Sequence, residues 1–489
     1  MQNPSNGFPW FRAPGRTGVR SGTWRSCVGL GLAGMLVLTS ACGDENADLE
    51  GDTAVRVVHA APQAAAVDVY AQGDETPLFE DLAFTETSSF VELEPATVRL
   101  EVRPADAAPD SEPLFTSQPV ALEADVRNTI VAAGNPAAEE DSEAFRLLAF
   151  NEDFREPDAD NAVVRLVHGA ATAPTVDVDI GNDGSAEVEN LERFAATGPG
   201  GIQVPAAQPL RAGLLAGDPR QTVAVYTLPE LGDGDDAFLI VTGDPEAAPT
   251  SRNGLSILAV GPDGTIGRVL VDPILYILHG SPDAPAVDIR VNELLLAQEF
   301  NFAELSNPVF VPPGTVDLDL FAAGADDADP AATLSAENLE RGDVRLAVIS
   351  GFLAPEEDQP DLRLSLFAPE FDEDTQLRLV HLVPDAPPVS IGIVSGPVLV
   401  TPPVVEEISF GDATGPGQNL GAISAGTTLG LAPTGLTDPA ATFVVPDGTG
   451  ARSFAVLVGA LAPAPDESEV RLVLIDTALS PWGTQVIAP

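Results

Sequence analysis

The chain holds four histidines, and each ends the same phrase: Val55-Arg56-Val57-Val58-His59, Val164-Arg165-Leu166-Val167-His168, Leu275-Tyr276-Ile277-Leu278-His279 and Leu377-Arg378-Leu379-Val380-His381. They lie 109, 111 and 102 residues apart, and nine residues after each comes Asp68, Asp177, Asp288 or Ser390. An imidazole near a carboxylate is the material of a general base or a transition-metal site. Strand phase argues against both. The histidine shares a face with the apolar residues two and four places before it, such as Val57 and Val55, so the ring should tuck under a sheet edge and satisfy its nitrogens locally. One histidine per repeat also cannot build a three- or four-ligand zinc site. His59, His168, His279 and His381 are therefore expected to be structural, with no catalytic residue and no cofactor. The arginine three places before each histidine falls on the opposite side, where it is expected to form a cross-strand ion pair of little energetic weight.

Other chemistry is thin. The chain has no lysine, hence no phosphate-binding loop of the Gly-Lys-Ser/Thr type and no Schiff base; no His-Glu-x-x-His and no Gly-x-Ser-x-Gly stands anywhere in it. Paired carboxylates are the remaining catalytic option, but with 74 acidic residues accidental pairs are inevitable. Calcium has three candidate loops: the run from Asp177 through Asp179 and Asn182 to Asp183, Gly232-Asp233-Gly234-Asp235-Asp236, and Asp326-Asp327-Ala328-Asp329. Counted from Asp179, the first has Gly181 at the third ligand place and Asn190 at the twelfth, so it departs twice from an EF-hand. Sugar sites lean on exposed aromatic faces, and beyond Trp10 and Trp24 the chain has only Trp482, with Tyr70, Tyr226 and Tyr276.

The elements that carry these residues read as short strands at period two, with turn residues about every ten positions. After the opening strand comes a Val-rich strand (Val67-Asp68-Val69-Tyr70 in the first copy), then a Phe-centred segment at Phe84, Phe194, Phe302 and Phe410. A strand ending in Gly134, Gly243, Gly351 or Gly459 follows, then a closing strand. The expectation is an all-β protein: four tandem immunoglobulin-like antiparallel β-sandwich repeats at residues 53–150, 162–271, 272–368 and 376–489, joined by acidic linkers at 151–161 and 368–376. Cys27 and Cys42 are the only cysteines, so no disulfide framework is available, and each repeat is expected to fold on its own core.

Residues 1–41 read as a signal peptide: Arg12, Arg16, Arg20 and Arg25 precede an apolar run at 28–38 too short to span a bilayer comfortably. Leu38-Thr39-Ser40-Ala41-Cys42 resembles the bacterial lipobox, with Thr39 where leucine is usual. That resemblance implies cleavage before Cys42, acylation there, and a short linker at 42–52 leading to the first repeat. Beyond Cys42 the chain carries 19 basic against 74 acidic residues. Such a surface repels phosphate backbones, so nucleic acid is excluded as a partner.

The phrase Val-Arg-Val-Val-His-Ala-Ala-Pro, followed by Ala-Val-Asp-Val-Tyr, resembles the opening of a bacterial family catalogued as domain of unknown function 4397. His279-Gly280-Ser281-Pro282-Asp283-Ala284-Pro285-Ala286-Val287-Asp288 follows its pattern closely. The first repeat has Gln63 in place of the loop aspartate, the second Thr172, the third Tyr276 in place of the arginine, and the fourth Ser390 in place of the later aspartate. The resemblance implies an extracytoplasmic, repeated, β-rich protein, often lipid-anchored, with no established activity. The expected function is thus a non-enzymatic cell-envelope lipoprotein, periplasmic or surface-exposed, an acidic rod for adhesion, scaffolding or ligand display. It would be held to the membrane through its lipid and would meet a protein or envelope-polymer ligand. The alternatives are an envelope hydrolase using paired carboxylates and a calcium-dependent binding module.

Overall fold

The computed structural model of the protein describes residues 49, 51–108, 110–291, 294–325, 329–371, 377–415, 425–447 and 452–489; Cys42 and the signal segment lie outside them. Among the described residues every regular element is a strand, and the chain divides into two compact units, Met1–Val271 and Asp272–Pro489.

In the first unit the opening strand Thr53–His59 lies at the centre of a sheet, between Arg127–Ala133 and Val91–Leu93, with the closing strand Arg146–Asn151 outside Arg127–Ala133. A second sheet, Phe79–Leu82, Val67–Ala71, Leu100–Pro104 and Phe115–Thr116, faces it. Val55, Val57, Ile130 and Ala132 meet Val67, Val69, Leu100 and Val102 between the two. The same plan recurs from Asn161–His168, where the inner sheet gains Ile266–Leu270 as an extra strand hairpinned to Ser256–Val260.

The other face of the inner sheet is also buried, which the alternating pattern does not announce. Val58, Val131, Ala133 and Phe84 of the first sandwich pack on Val167, Phe238, Ile240, Leu258 and Val260 of the second, making a core shared by both. All seven residues of Thr53–His59 are buried in consequence. The second unit repeats the arrangement: Leu278, Leu346, Val348 and Phe367 join Val380, Phe454, Val456, Val473 and Ile475. Its two sandwiches also keep separate cores around Leu275, Ile289 and Leu318, and around Leu379, Ile391 and Leu431.

This burial corrects two expectations. The inner sheets are mixed, not antiparallel: the opening strand runs parallel to the glycine-ended strand in all four copies, with Val57 beside Ile130 in the first. Parallel pairs are found where both faces are covered, and here the sandwich's own outer sheet covers one face and the neighbouring sandwich the other. A repeat does not rest on its own core alone, because the second face of each inner sheet packs in the shared one. The linkers pack along the same seams. Phe154 meets Phe238 edge-on with centroids 5.2 Å apart, and Phe371 meets Phe454 at 5.4 Å. Arg165 Nη1 donates to the Asn151 carbonyl at 2.7 Å and Arg378 Nη1 to the Ala368 carbonyl at 2.6 Å.

The arginines differ from expectation for the same reason. Arg56 is 1% exposed; its Nη2 pairs with Glu152 at 2.8 Å, Nε donates to Thr129 Oγ1 at 2.8 Å, and Nη1 donates to the Gly261 carbonyl of the second sandwich at 2.8 Å. The glycine that ends each penultimate strand answers a steric demand. Gly134, Gly243, Gly351 and Gly459 have φ between +89° and +98°, and a Cβ on them would collide with the carbonyls of Ala144, Gly254, Asp361 and Glu469.

A fragment spanning 272–489 should melt in one cooperative step, whereas 272–368 alone, with Leu278, Leu346, Val348 and Phe367 stripped of their cover, should melt at least about 10 °C lower or not cooperatively. Thermal denaturation followed by circular dichroism decides this; equal midpoints would mean the shared core adds nothing.

Candidate functional site: the histidine corner

Each histidine stands where the opening strand turns into the Pro- and Ala-rich loop, and main chain and side chain both hold that corner. His59 N–H donates to the Glu86 carbonyl at 2.9 Å and its carbonyl accepts from Thr85 N–H at 3.0 Å. The same pair of bonds joins His168 to Ala195 and Phe194, His279 to Glu304 and Ala303, and His381 to Asp412 and Gly411. Thr85, Phe194, Ala303 and Gly411 accordingly share a left-handed backbone, φ +76°, +62°, +61° and +97°. The Phe-centred segment of the second copy is therefore shifted by one: Arg193 occupies the place of Phe84, and Phe194 the turn itself.

The rings are at most 1% exposed. Nε2 faces a carbonyl six residues ahead, that of Ala65 at 3.0 Å, Pro174 at 2.8 Å and Pro285 at 3.1 Å, whereas in the fourth copy Nε2 of His381 makes no hydrogen bond among the described residues. A carbonyl only accepts, so Nε2 carries the proton and Nδ1 is left as an acceptor. Nδ1 of His59 takes the Ala61 N–H at 3.3 Å, and that of His381 the Val383 N–H at 3.5 Å. Burial lowers all four pKa values from the ordinary imidazole value, that of His381 to about 4. The four rings sit one to a sandwich, each buried and neutral; Nδ1 of His168 and His279 and Nε2 of His381 make no hydrogen bond among the described residues.

The residue nine places on has a role that the sequence did not disclose. Asp68 Oδ1 accepts from Asp81 N–H at 2.8 Å, Asp177 Oδ1 from Asn190 N–H at 2.6 Å, and Asp288 Oδ1 from Glu299 N–H at 2.7 Å. Those three acceptors' partners all have left-handed φ, +53°, +55° and +50°, at a bulge between the Val-rich strand and the strand beside it. The carboxylate holds an otherwise costly backbone turn. In the fourth copy Ser390 Oγ instead donates to the Glu406 carbonyl at 2.6 Å, and Glu407, the counterpart of Asp81, avoids positive φ. The peptide bond is reversed because a hydroxyl can donate and a carboxylate cannot.

Loop aspartates are likewise committed. Asp283 accepts from the Leu353 and Ala354 amides at 2.7 and 2.9 Å, and Asp385 from those of Leu461 and Ala462, both at 2.7 Å. Where Gln63 replaces this aspartate, Arg252 of the second sandwich grips the loop, donating to the Pro62 and Ala64 carbonyls at 2.9 and 3.0 Å. In the calcium candidates, Asp179 accepts from the Asp183 and Gly184 amides at 3.1 and 2.7 Å, Asp235 from Gly232 at 2.6 Å and Asp233 from Asp160 at 2.7 Å. Asp326 and Asp327 lie outside the described residues, and among the described residues no group of three His, Cys, Asp or Glu is placed to hold a metal ion.

The recurring corner, carried with its loop and its bulge, matches a known pattern: the family described as Domain of unknown function (DUF4397) matches residues 53–179 and 274–392, about half of the chain. The chain belongs to this DUF4397 family. Each match begins at an opening strand and runs on into the Val-rich strand of the next sandwich, so the matched stretch crosses from one sandwich to its neighbour. No curated protein matches the chain. Among solved structures, the Bacillus anthracis TIE protein aligns over 61% of this chain and 51% of its own, at 11% identity and a TM-score of 0.13. The chain thus spans about half of that structure, and an overlap of this kind carries no functional argument.

Two outcomes are expected of the corner. His381→Ala should cost the second unit roughly 1–3 kcal/mol, since it strands the groups the ring satisfies. The pH dependence has a definite sign. The unfolded chain protonates His381 near its ordinary value of 6.5, the folded one only near 4, so the stability due to the neutral ring is complete above 6.5 and is lost as pH falls towards 4. Urea unfolding of His381→Gln across that interval should show a shallower fall than the unaltered protein; an identical slope would remove the ring from the balance.

Proposed function

We propose that the protein is a non-enzymatic lipoprotein of a bacterial cell envelope, periplasmic or surface-exposed, which displays acidic paired β-sandwiches for adhesion, scaffolding or ligand display. The observation that carries this reading is the state of the four histidines. They are the side chains best suited to proton transfer at neutral pH; all four are enclosed, and His59, His168 and His279 each have Nε2 bonded to a carbonyl of their own loop. The loop carboxylates that could have formed an acid pair or a cation site are bonded to backbone amides in the same way.

What remains for partners is the outer surface of a chain that beyond Cys42 carries 74 acids against 19 bases. Its field favours cationic groups and is weakened by salt. The attachment to a membrane rests on Leu38-Thr39-Ser40-Ala41-Cys42: acylation of Cys42 would supply more than one chain, as stable anchoring requires.

Metabolic labelling with a fatty acid in a bacterium that processes lipoproteins tests the reading. The unaltered protein should be labelled and partition into detergent, and Cys42→Ala should do neither. An unlabelled wild-type protein would contradict it.

A further inference from the structure

We propose that the residue three places before the histidine in the first sandwich of each unit is one half of a key, matched by the hairpin that closes the second sandwich, and that this key determines which sandwiches dock. The inner-sheet faces that meet are apolar and similar in both units, so apolar packing alone distinguishes their partners poorly. The polar and aromatic groups at their margin are not similar.

In the first unit the key has three parts. Arg56 reaches out of the first sandwich, Glu152 of the linker neutralises it at 2.8 Å, and the hairpin between Ser256–Val260 and Ile266–Leu270 offers the Gly261 carbonyl at 2.8 Å. In the second unit all three positions change together. Tyr276 replaces the arginine; Pro369, which follows Ala368 as Glu152 follows Asn151, carries no charge; and the hairpin between Arg471–Asp476 and Gly483–Ile487 presents Trp482. The Tyr276 and Trp482 rings stack with centroids 4.0 Å apart and planes within 6°. The counterpart of Glu152 follows from the linker bonds, since Asn151 and Ala368 occupy the same place beneath Arg165 and Arg378.

A mismatch is penalised in either direction. Arginine set against the indole in the second unit would lose the carboxylate that Arg56 has, and tyrosine in the first would take from Glu152 the guanidinium it pairs with at 2.8 Å. A further contact at each seam, Arg165 and Arg378 on the linker carbonyls, lies outside the key: it is common to both units and so distinguishes nothing. The partner that fits the inner face of the third sandwich is therefore another sandwich of this family whose closing hairpin carries an aromatic ring, and the partner for the first is one whose hairpin turns a carbonyl inward.

The test uses the full chain, with unfolding of the second unit followed through Trp482 emission where the indole is kept and by calorimetry throughout. A cycle of Tyr276→Leu and Trp482→Leu should give a coupling of at least 3-fold in the unfolding constant, within the range of a stacked aromatic pair. Tyr276→Arg should redden Trp482 emission relative to the unaltered chain. Transplanting the first unit's key as Tyr276→Arg, Pro369→Glu and Trp482→Gly should leave the second unit at least 10-fold more stable than Tyr276→Arg alone. A coupling below 3-fold, or a transplant no more stable than that single variant, would overturn the key.

Discussion

The structure depends on one constraint: the opening strand of every sandwich is buried on both faces. Val55 and Val57 point into their own sandwich while Val58 points into the neighbour, and the parallel partner Arg127–Ala133 is covered in the same way. A strand so placed has no solvent side, so anything polar on it must be satisfied internally. That requirement accounts for the histidine at its end, whose ring closes the following loop, and for the arginine in its middle, which is tied to a carboxylate, a hydroxyl and a carbonyl. It also accounts for the linker, whose aromatic side chain and carbonyl complete the seam between sandwiches.

Pairing places the chain's polar chemistry inside and leaves its charge outside. Imidazoles, several guanidiniums and the loop aspartates are engaged with the chain itself, and the exposed residue of this partition is strongly acidic. Burial lowers the imidazole pKa values and so keeps these rings neutral near pH 7. The stretches that match the DUF4397 family run across the seam between sandwiches.

The all-β character, the repeated landmarks and the inward phase of His59, His168, His279 and His381 were legible because period-two alternation and residue spacing are local signals. The second buried face was harder to read. Its trace was present in the unbroken apolar runs Phe238-Leu239-Ile240-Val241 and Phe454-Ala455-Val456-Leu457, which lack the polar alternation of a half-exposed strand, but Arg56 and Arg165 read as solvent-facing charges and masked it. Tyr276 stood out as a departure from the repeat and Trp482 as an isolated tryptophan; nothing local joins two residues so far apart in the chain. The bulge aspartates could be placed but not explained, since the amide each one holds belongs to a strand whose register only pairing defines.

Native-state hydrogen exchange on the first unit tests most directly whether two sandwiches form one cooperative structure. Amides of Thr53–His59 and Arg127–Ala133 should open with the same free energy as those of Asn161–His168 and Asp236–Thr242, and Glu152→Gln, which unbalances Arg56 at the seam, should lower both sets together by roughly 3 kcal/mol. Two distinct opening free energies, with only one responding to Glu152→Gln, would contradict the account.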